Sequence, residues 1–129
     1  MSILVGYINT AEGLAALDRA VEESTLRKTS LVVINTSRGD ALVDERYLQA
    51  DDIQWLRTKM DDTDTDYELV QAVRGQDAAE EILTVAEERG VELIVIGLRR
   101  RTPVGKLIMG STAQRILLQA HCPVLAVKS

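Results

Sequence analysis

The segment from Ile96 to Thr112, "IGLRRRTPVGKLIMGST", concentrates residue types that recognise a negatively charged group. Gly97 follows an apolar run, Arg99, Arg100 and Arg101 come next, and Gly110 precedes Ser111 and Thr112. A helix starting at Gly110 has first-turn amides with no partner inside the helix; those amides and the helix dipole favour an anion. A forked guanidinium beside a row of such amides suits a phosphate. Plainer readings stand beside that one. Arginines in a loop usually face water, and Ser111 with Gln114 three positions on makes a Ser-x-x-Gln helix cap that accounts for the hydroxyl structurally. A glycine-bounded basic loop is by itself a weak motif.

No catalytic set accompanies it. The single histidine, His121, lies far along the chain from Ser111, and no His-Asp pair flanks a serine. Lys106 after Gly105 is followed by Leu107, so the phosphate-loop pattern that ends in Lys and a hydroxyl residue fails. The acidic run Asp61 to Asp66 lacks the glycine and glutamate of a calcium loop and reads as a solvated connection. One cysteine, Cys122, excludes an internal disulfide and any Cys-x-x-Cys metal or redox motif. His121 and Cys122 read as a spacer near a helix end, not as a joint metal site.

The 129 residues suffice for one domain, with a core built from Leu, Ile, Val and Ala, since Phe is absent and only one Trp and three Tyr occur. A formal charge of −5 opposes general attraction to nucleic acid or anionic lipid, so a phosphate site has to be local. The start "MSILVGYI" has no basic leader, and no segment reaches the length of a membrane span; a cytoplasmic location with a reduced thiol is the expectation.

The elements that must position the glycines alternate in type. Ile3 to Ile8, Leu31 to Asn35, Tyr67 to Val73, "ELIVIG" and "PVLAV" read as strands. Between them, Leu14, Leu17 and Val21; Ile53, Leu56 and Met60; Ala79, Ile82, Leu83 and Ala86; and Ala113, Ile116, Leu117 and Ala120 recur at helical spacing. Asn9 with Glu12 and Asp77 with Glu80 are the expected caps of the first and third helices. Strands alternating with helices predict a parallel sheet with helices on both faces. Ligands of such a sheet collect beyond the strands' carboxyl ends, which directs attention to Asn9-Thr10, Thr36-Ser37 and Gly97 onward. The terminal strand "PVLAVKS" would present an open edge, which pairing with a second copy covers.

The stretch "IVIGLRRRTPVGKLIMGSTAQRILLQAHCPVLAVK" closely resembles the C-terminal signature of the universal stress protein family. "QDAAEEILTVAEERGVELIVIG" and "ILVGYINTAEGLAALDRAVEES" resemble its preceding elements, so the likeness spans almost the whole chain. The resemblance implies an open five-stranded parallel sheet of order 3-2-1-4-5, the adenine nucleotide alpha hydrolase-like arrangement. Nucleotide-binding relatives carry Gly-x-x-Gly, nine residues, then Gly and Ser or Thr. Gly97, Gly110 and Ser111 fit, and Arg100 replaces the second glycine. By that resemblance Gly110, Ser111 and Thr112 meet phosphates, Ile96 and Gly97 flank ribose and adenine, and the backbone at Thr36 meets the base. Ile8 stands where many relatives have an Asp reaching the nucleoside, and Arg100 either blocks a phosphate or replaces the lost amide contact. The resemblance implies ATP or AMP as ligand, with Mg if ATP, a homodimer through the C-terminal strand, and a stress-response sensor or regulator with an unnamed protein partner. Two alternatives are a dimeric interaction module of the same fold without nucleotide, and a very slow ATPase or a protein that phosphorylates itself on Ser111 or Thr112.

Overall fold

Short apolar runs form the strands because each must be buried on both faces, and amphipathic stretches between them form the helices that cover those faces. The structure, a computed structural model, describes residues 1–36, 50–72, 77–98 and 110–129. The elements are β1 (Ser2–Gly6), α1 (Ala11–Arg27), β2 (Ser30–Thr36), α2 (Ala50–Asp61) and β3 (Tyr67–Ala72). They continue with α3 (Ala78–Arg89), β4 (Leu93–Leu98), α4 (Ser111–Gln119) and β5 (Val124–Lys128). The strands pair in parallel in the order β3-β2-β1-β4-β5, as the sequence leads one to expect.

Alternation along the strands splits the core in two. Ile3, Val5, Leu31, Val33, Leu93 and Val95 pack with Ala16, Leu17 and Ala20 of α1 and with Leu56 and Met60 of α2. On the other face Leu4, Val32, Ile34, Ile94 and Ile96 pack with Ala79, Ile82, Val85 and Ala86 of α3 and with Ile116 of α4. The register sets Ile3 opposite both Leu31 and Leu93, so the middle strand is sealed on each side and Ile3, Leu4 and Val5 have no exposed surface. Among the described residues no helix is long and apolar enough to cross a membrane.

The helix ends depart from expectation in two places. Thr10, not Asn9, caps α1: its hydroxyl accepts from the Gly13 amide at 3.1 Å. With the cap at Thr10, Glu12 falls at the second helical position instead of the third, and the reciprocal bond of a capping box is out of reach. At α4 the cap is Gly110, and Ser111 is the first helical residue, so the expected Ser111-Gln114 box does not form. Asp77 does cap α3, accepting from the Glu80 amide at 2.8 Å, and Gly90 ends it with φ 58°, a left-handed turn that favours glycine. Two helical faces also shift: Leu83 is only half-buried while Glu81 is buried, and on α4 Ile116 alone is buried, with Leu117 and Leu118 exposed. The expected third strand ends at Ala72, since Val73 lies outside the described residues, as does Gly75.

Candidate functional site

In the order β3-β2-β1-β4-β5 the winding reverses between β1 and β4, so their carboxyl ends diverge into connections on opposite faces, the position at which open parallel sheets take their ligands. The residues that shape this edge are fixed largely by backbone. The Tyr7 amide donates to the Ile34 carbonyl at 2.9 Å, and the Tyr7 carbonyl accepts from Asn35 Nδ2 at 2.8 Å. Asn35 is fully buried, so it stitches the end of β1 to β2 one residue past the ladder. Sequence reading treated Asn35 only as the end of an apolar run; an amide closing such a run was the available signal. Beyond this stitch the chain turns, and the Ile8 carbonyl accepts from the Thr10 amide at 2.8 Å. Expected strand residues Tyr7 and Ile8 therefore lie past β1, and the half-buried Ile8 belongs to the turn that starts α1.

The glycines at this edge have different reasons. Gly97 lies within β4, opposite Val127 of β5, and its backbone does not take a left-handed conformation. A Cβ placed there would stand 2.2 Å from the Glu12 carbonyl oxygen and 2.7 Å from its carbon. Close approach of the α1 backbone, not the departure of the chain from the strand, is what requires glycine. Gly13 plays the matching part, with the Ile8 carbonyl oxygen 1.9 Å from its would-be Cβ. Together the two glycines let the first turn of α1 lie flat on the carboxyl ends of β1 and β4.

Gly110 is the opposite case. Its φ of −69° and ψ of 163° suit any residue, and a Cβ there would meet nothing within 4 Å among the described residues. No side chain among the described residues caps α4, and Gly110, Ser111 and Thr112 are all exposed. The Gln114 amide is satisfied by the Gly110 carbonyl at 3.1 Å, but the earlier amides of the first turn have no intrahelical partner. Because α4 returns to a parallel strand, its amino terminus lies at the same sheet edge as the ends of β1, β2 and β4.

Arg115 ties this helix start to its neighbour. One guanidinium nitrogen donates to Asp77 Oδ2 at 2.6 Å and the other to Glu80 Oε1 at 2.9 Å. The Glu80 bond, opposed by desolvation and aided by the charge of Asp77, raises the guanidinium above its ordinary value. Asp77 thus uses one oxygen to cap α3 and the other to hold α4, so the two amino termini are braced together. Burial raises the Cys122 thiol, which sits in the bend after α4 where a spacer was expected.

The structure accordingly brings Ile8, Thr36, Ile96, Gly97, Gly110, Ser111 and Thr112 to one edge: Thr36 ends β2, Ile96 and Gly97 lie in the last half of β4, and the other three begin α4. Arg100, with Arg99, Arg101 and Ser37, lies outside the described residues.

A parallel α/β domain of this strand order, with a helix start that no side chain caps among the described residues, belongs to the class of nucleotide-binding folds, and sequence comparison narrows it. The model of the universal stress protein family matches residues 1–128, and the chain belongs to that family. It is 45% identical over 126 residues to a universal stress protein of Mycolicibacterium smegmatis, covering 98% of this chain and 96% of that one. Among solved structures it resembles a universal stress protein from Archaeoglobus fulgidus, with TM-score 0.83, 31% identity, and coverage of 99% and 98% of the two chains. A second structure, the universal stress protein from Archaeoglobus fulgidus in complex with dAMP, superposes with TM-score 0.73 at 26% identity, covering 99% and 98%.

Proposed function

We propose that this chain binds an adenine nucleotide, AMP or ATP with Mg, at the carboxyl edge of its sheet and acts as a stress-response sensor or regulator. The observation that carries this reading is Gly110: among the described residues neither its backbone angles nor its surroundings call for glycine, yet it heads a helix that none of their side chains caps. A missing side chain in front of unpartnered amides suits a ligand whose phosphate approaches the backbone. In this reading Gly110, Ser111 and Thr112 hold phosphate, and the Ser111 hydroxyl, at the first helical position and so not occupied as a cap, serves as a donor. Ile96 and Gly97 border the ribose and adenine, the Thr36 backbone meets the base, Ile8 offers apolar contact in place of an acidic one, and Arg100 adds charge near the phosphates. The dAMP complex of the Archaeoglobus fulgidus relative supports the ligand class. The account places the protein in the cytoplasm as a homodimer through β5.

The test is chemical. Protein purified without added nucleotide is denatured in acid and the extract is resolved for adenine nucleotides, alongside Gly110→Val. Stoichiometric or substoichiometric AMP or ATP in the parent and a clear loss in the variant is the expected pair of results. No nucleotide retained, and none taken up at millimolar concentration, sinks the reading.

A second reading, a dimeric interaction module, draws on the other edge. Val124 to Val127 of β5 are only partly buried, and on α4, which leads into this strand, Leu117 and Leu118 are 39% and 84% exposed. A partly buried apolar edge strand is suited to pairing with a second copy. Sedimentation at micromolar concentration decides it: a dimer is expected, and a monomer removes this module and the homodimer alike.

A further inference from the structure

On the face away from α3 and α4, α1 and α2 lie side by side and leave a groove of about 700 Å³ between them. Asp18 and Glu22, one helical turn apart on α1, form one wall; Trp55, Lys59 and Asp62, on successive turns of α2 and just past it, form the other, and buried Met60 lies at the base. None of these residues takes part in the carboxyl-edge site. Trp55 is the only tryptophan of the chain and is 50% exposed, an uncommon place for a large indole.

The charges around it are uneven. Three carboxylates line the groove against one ammonium, and that ammonium is already used: Lys59 Nζ lies 3.1 Å from Asp18 Oδ1 and 6.0 Å from the centre of the Trp55 ring. Among the described residues Glu22 has only Arg19 as a nearby cation, at 3.9 Å, and its side chain is 67% exposed. Asp62 is paired with no cation among the described residues. Lys59 therefore displays in place the chemistry the groove accepts, a cation over an indole face with a carboxylate behind it. A guanidinium suits that position better than an ammonium, because it stacks on the ring and forks to a carboxylate. The apolar base asks for something more than charge, an aliphatic side chain between the cations.

The geometry points to the α1/α2 groove as a docking surface for a protein partner, through a short segment in which arginine or lysine alternates with aliphatic residues. The single tryptophan makes the test direct. The full-length protein is titrated with a blocked peptide alternating arginine and leucine, with Trp55 emission as the readout, and with a fluorescein-labelled copy followed by anisotropy. A saturable change in both is expected. Neutralising one carboxylate on each wall in Glu22→Gln/Asp62→Asn should weaken binding about tenfold, the product of two exposed ion pairs, and Lys59→Ala should strengthen it by vacating the ring. Trp55→Leu keeps the net charge and should cost about tenfold or more in the anisotropy assay. The proposal falls if the labelled peptide binds Trp55→Leu as tightly as the parent, since attraction would then be charge alone. It falls equally if no saturable signal develops, or if spermine displaces the peptide at lower concentration than the unlabelled peptide does.

Discussion

A series of glycine-to-alanine substitutions asks whether each glycine is there for the fold or for something outside it. At Gly97 the new methyl would stand 2.2 Å from the Glu12 carbonyl oxygen and 2.7 Å from its carbon, both backbone atoms that no rotamer change can move. Either α1 lifts or β4 bends, and overpacking of that kind costs about 3 kcal/mol, the upper end of its usual range. With a urea slope near 2 kcal/mol/M, the midpoint should fall by about 1.5 M. Gly13→Ala meets the Ile8 carbonyl at 1.9 Å and should lose a similar amount, less the gain of about 1 kcal/mol from better helix propensity. Gly6→Ala meets only the end of the Ile82 side chain, at 3.1 Å, which swings aside; the loss should stay under about 1 kcal/mol. Gly110→Ala, with nothing among the described residues within 4 Å, should lose no more than about 1 kcal/mol, the penalty of alanine at a cap position. The assay is equilibrium urea unfolding followed by circular dichroism, without nucleotide. A ranking in which Gly97→Ala costs less than Gly110→Ala would refute the claim that α1 rests on the carboxyl end of β4.

Four further outcomes follow from single contacts. Asn35→Leu leaves the Tyr7 carbonyl without its side-chain donor in a fully buried place and should cost about 1 to 3 kcal/mol by the same unfolding assay; an unchanged midpoint would mean that water or relaxation replaces the bond. Glu81 is 1% exposed and its Oε1 has no hydrogen-bond partner among the described residues, so Glu81→Met should stabilise the fold by about 1 kcal/mol or more, and a lower midpoint would show that the carboxylate is paired. Arg115→Leu removes both bonds to Asp77 and Glu80, and the amides of Gln114 and residue 115 should exchange with deuterium faster while those of β1 do not change. Burial raises the Cys122 thiol, so at pH 8 its alkylation by iodoacetamide should be slower than in the urea-unfolded chain. The folded rate should keep climbing with pH after the unfolded rate has levelled, and equal rates at every pH would contradict the burial.

The fold was legible because its signals are periodic. β1, β2 and β4 are buried on both faces, so each reads as an unbroken apolar run, and Asp77 with Glu80 marks the start of α3 without ambiguity. Edge and end effects were harder. Ile8 is apolar like the strand before it, yet its carbonyl bonds to Thr10 two residues ahead, a turn that hydrophobicity does not report. Asn9 with Glu12 has the spacing of a capping box, and the cap at Thr10 instead depends on where Gly13 must sit against Ile8. Ser111 misled for a related reason: a serine three residues before a glutamine fits a cap, but the cap lies one residue earlier, at Gly110, and Ser111 is already helical. The role of Gly97 was out of reach, since only the crossing of α1 over β4 shows what a side chain would strike. Glu81 was invisible for the same reason, as a charged residue on a helix is expected to face water.

The claim on which the functional account rests is that the start of α4 accepts the phosphate of an adenine nucleotide. Calorimetric titration of AMP, and of ATP with Mg, into the parent and into Gly110→Val measures it directly. The account predicts a saturable one-to-one isotherm for the parent, an affinity at least about tenfold weaker for the variant, and unfolding free energies for the two proteins that agree within about 1 kcal/mol. Identical isotherms for both proteins, or no heat from the parent at millimolar ligand, would contradict it.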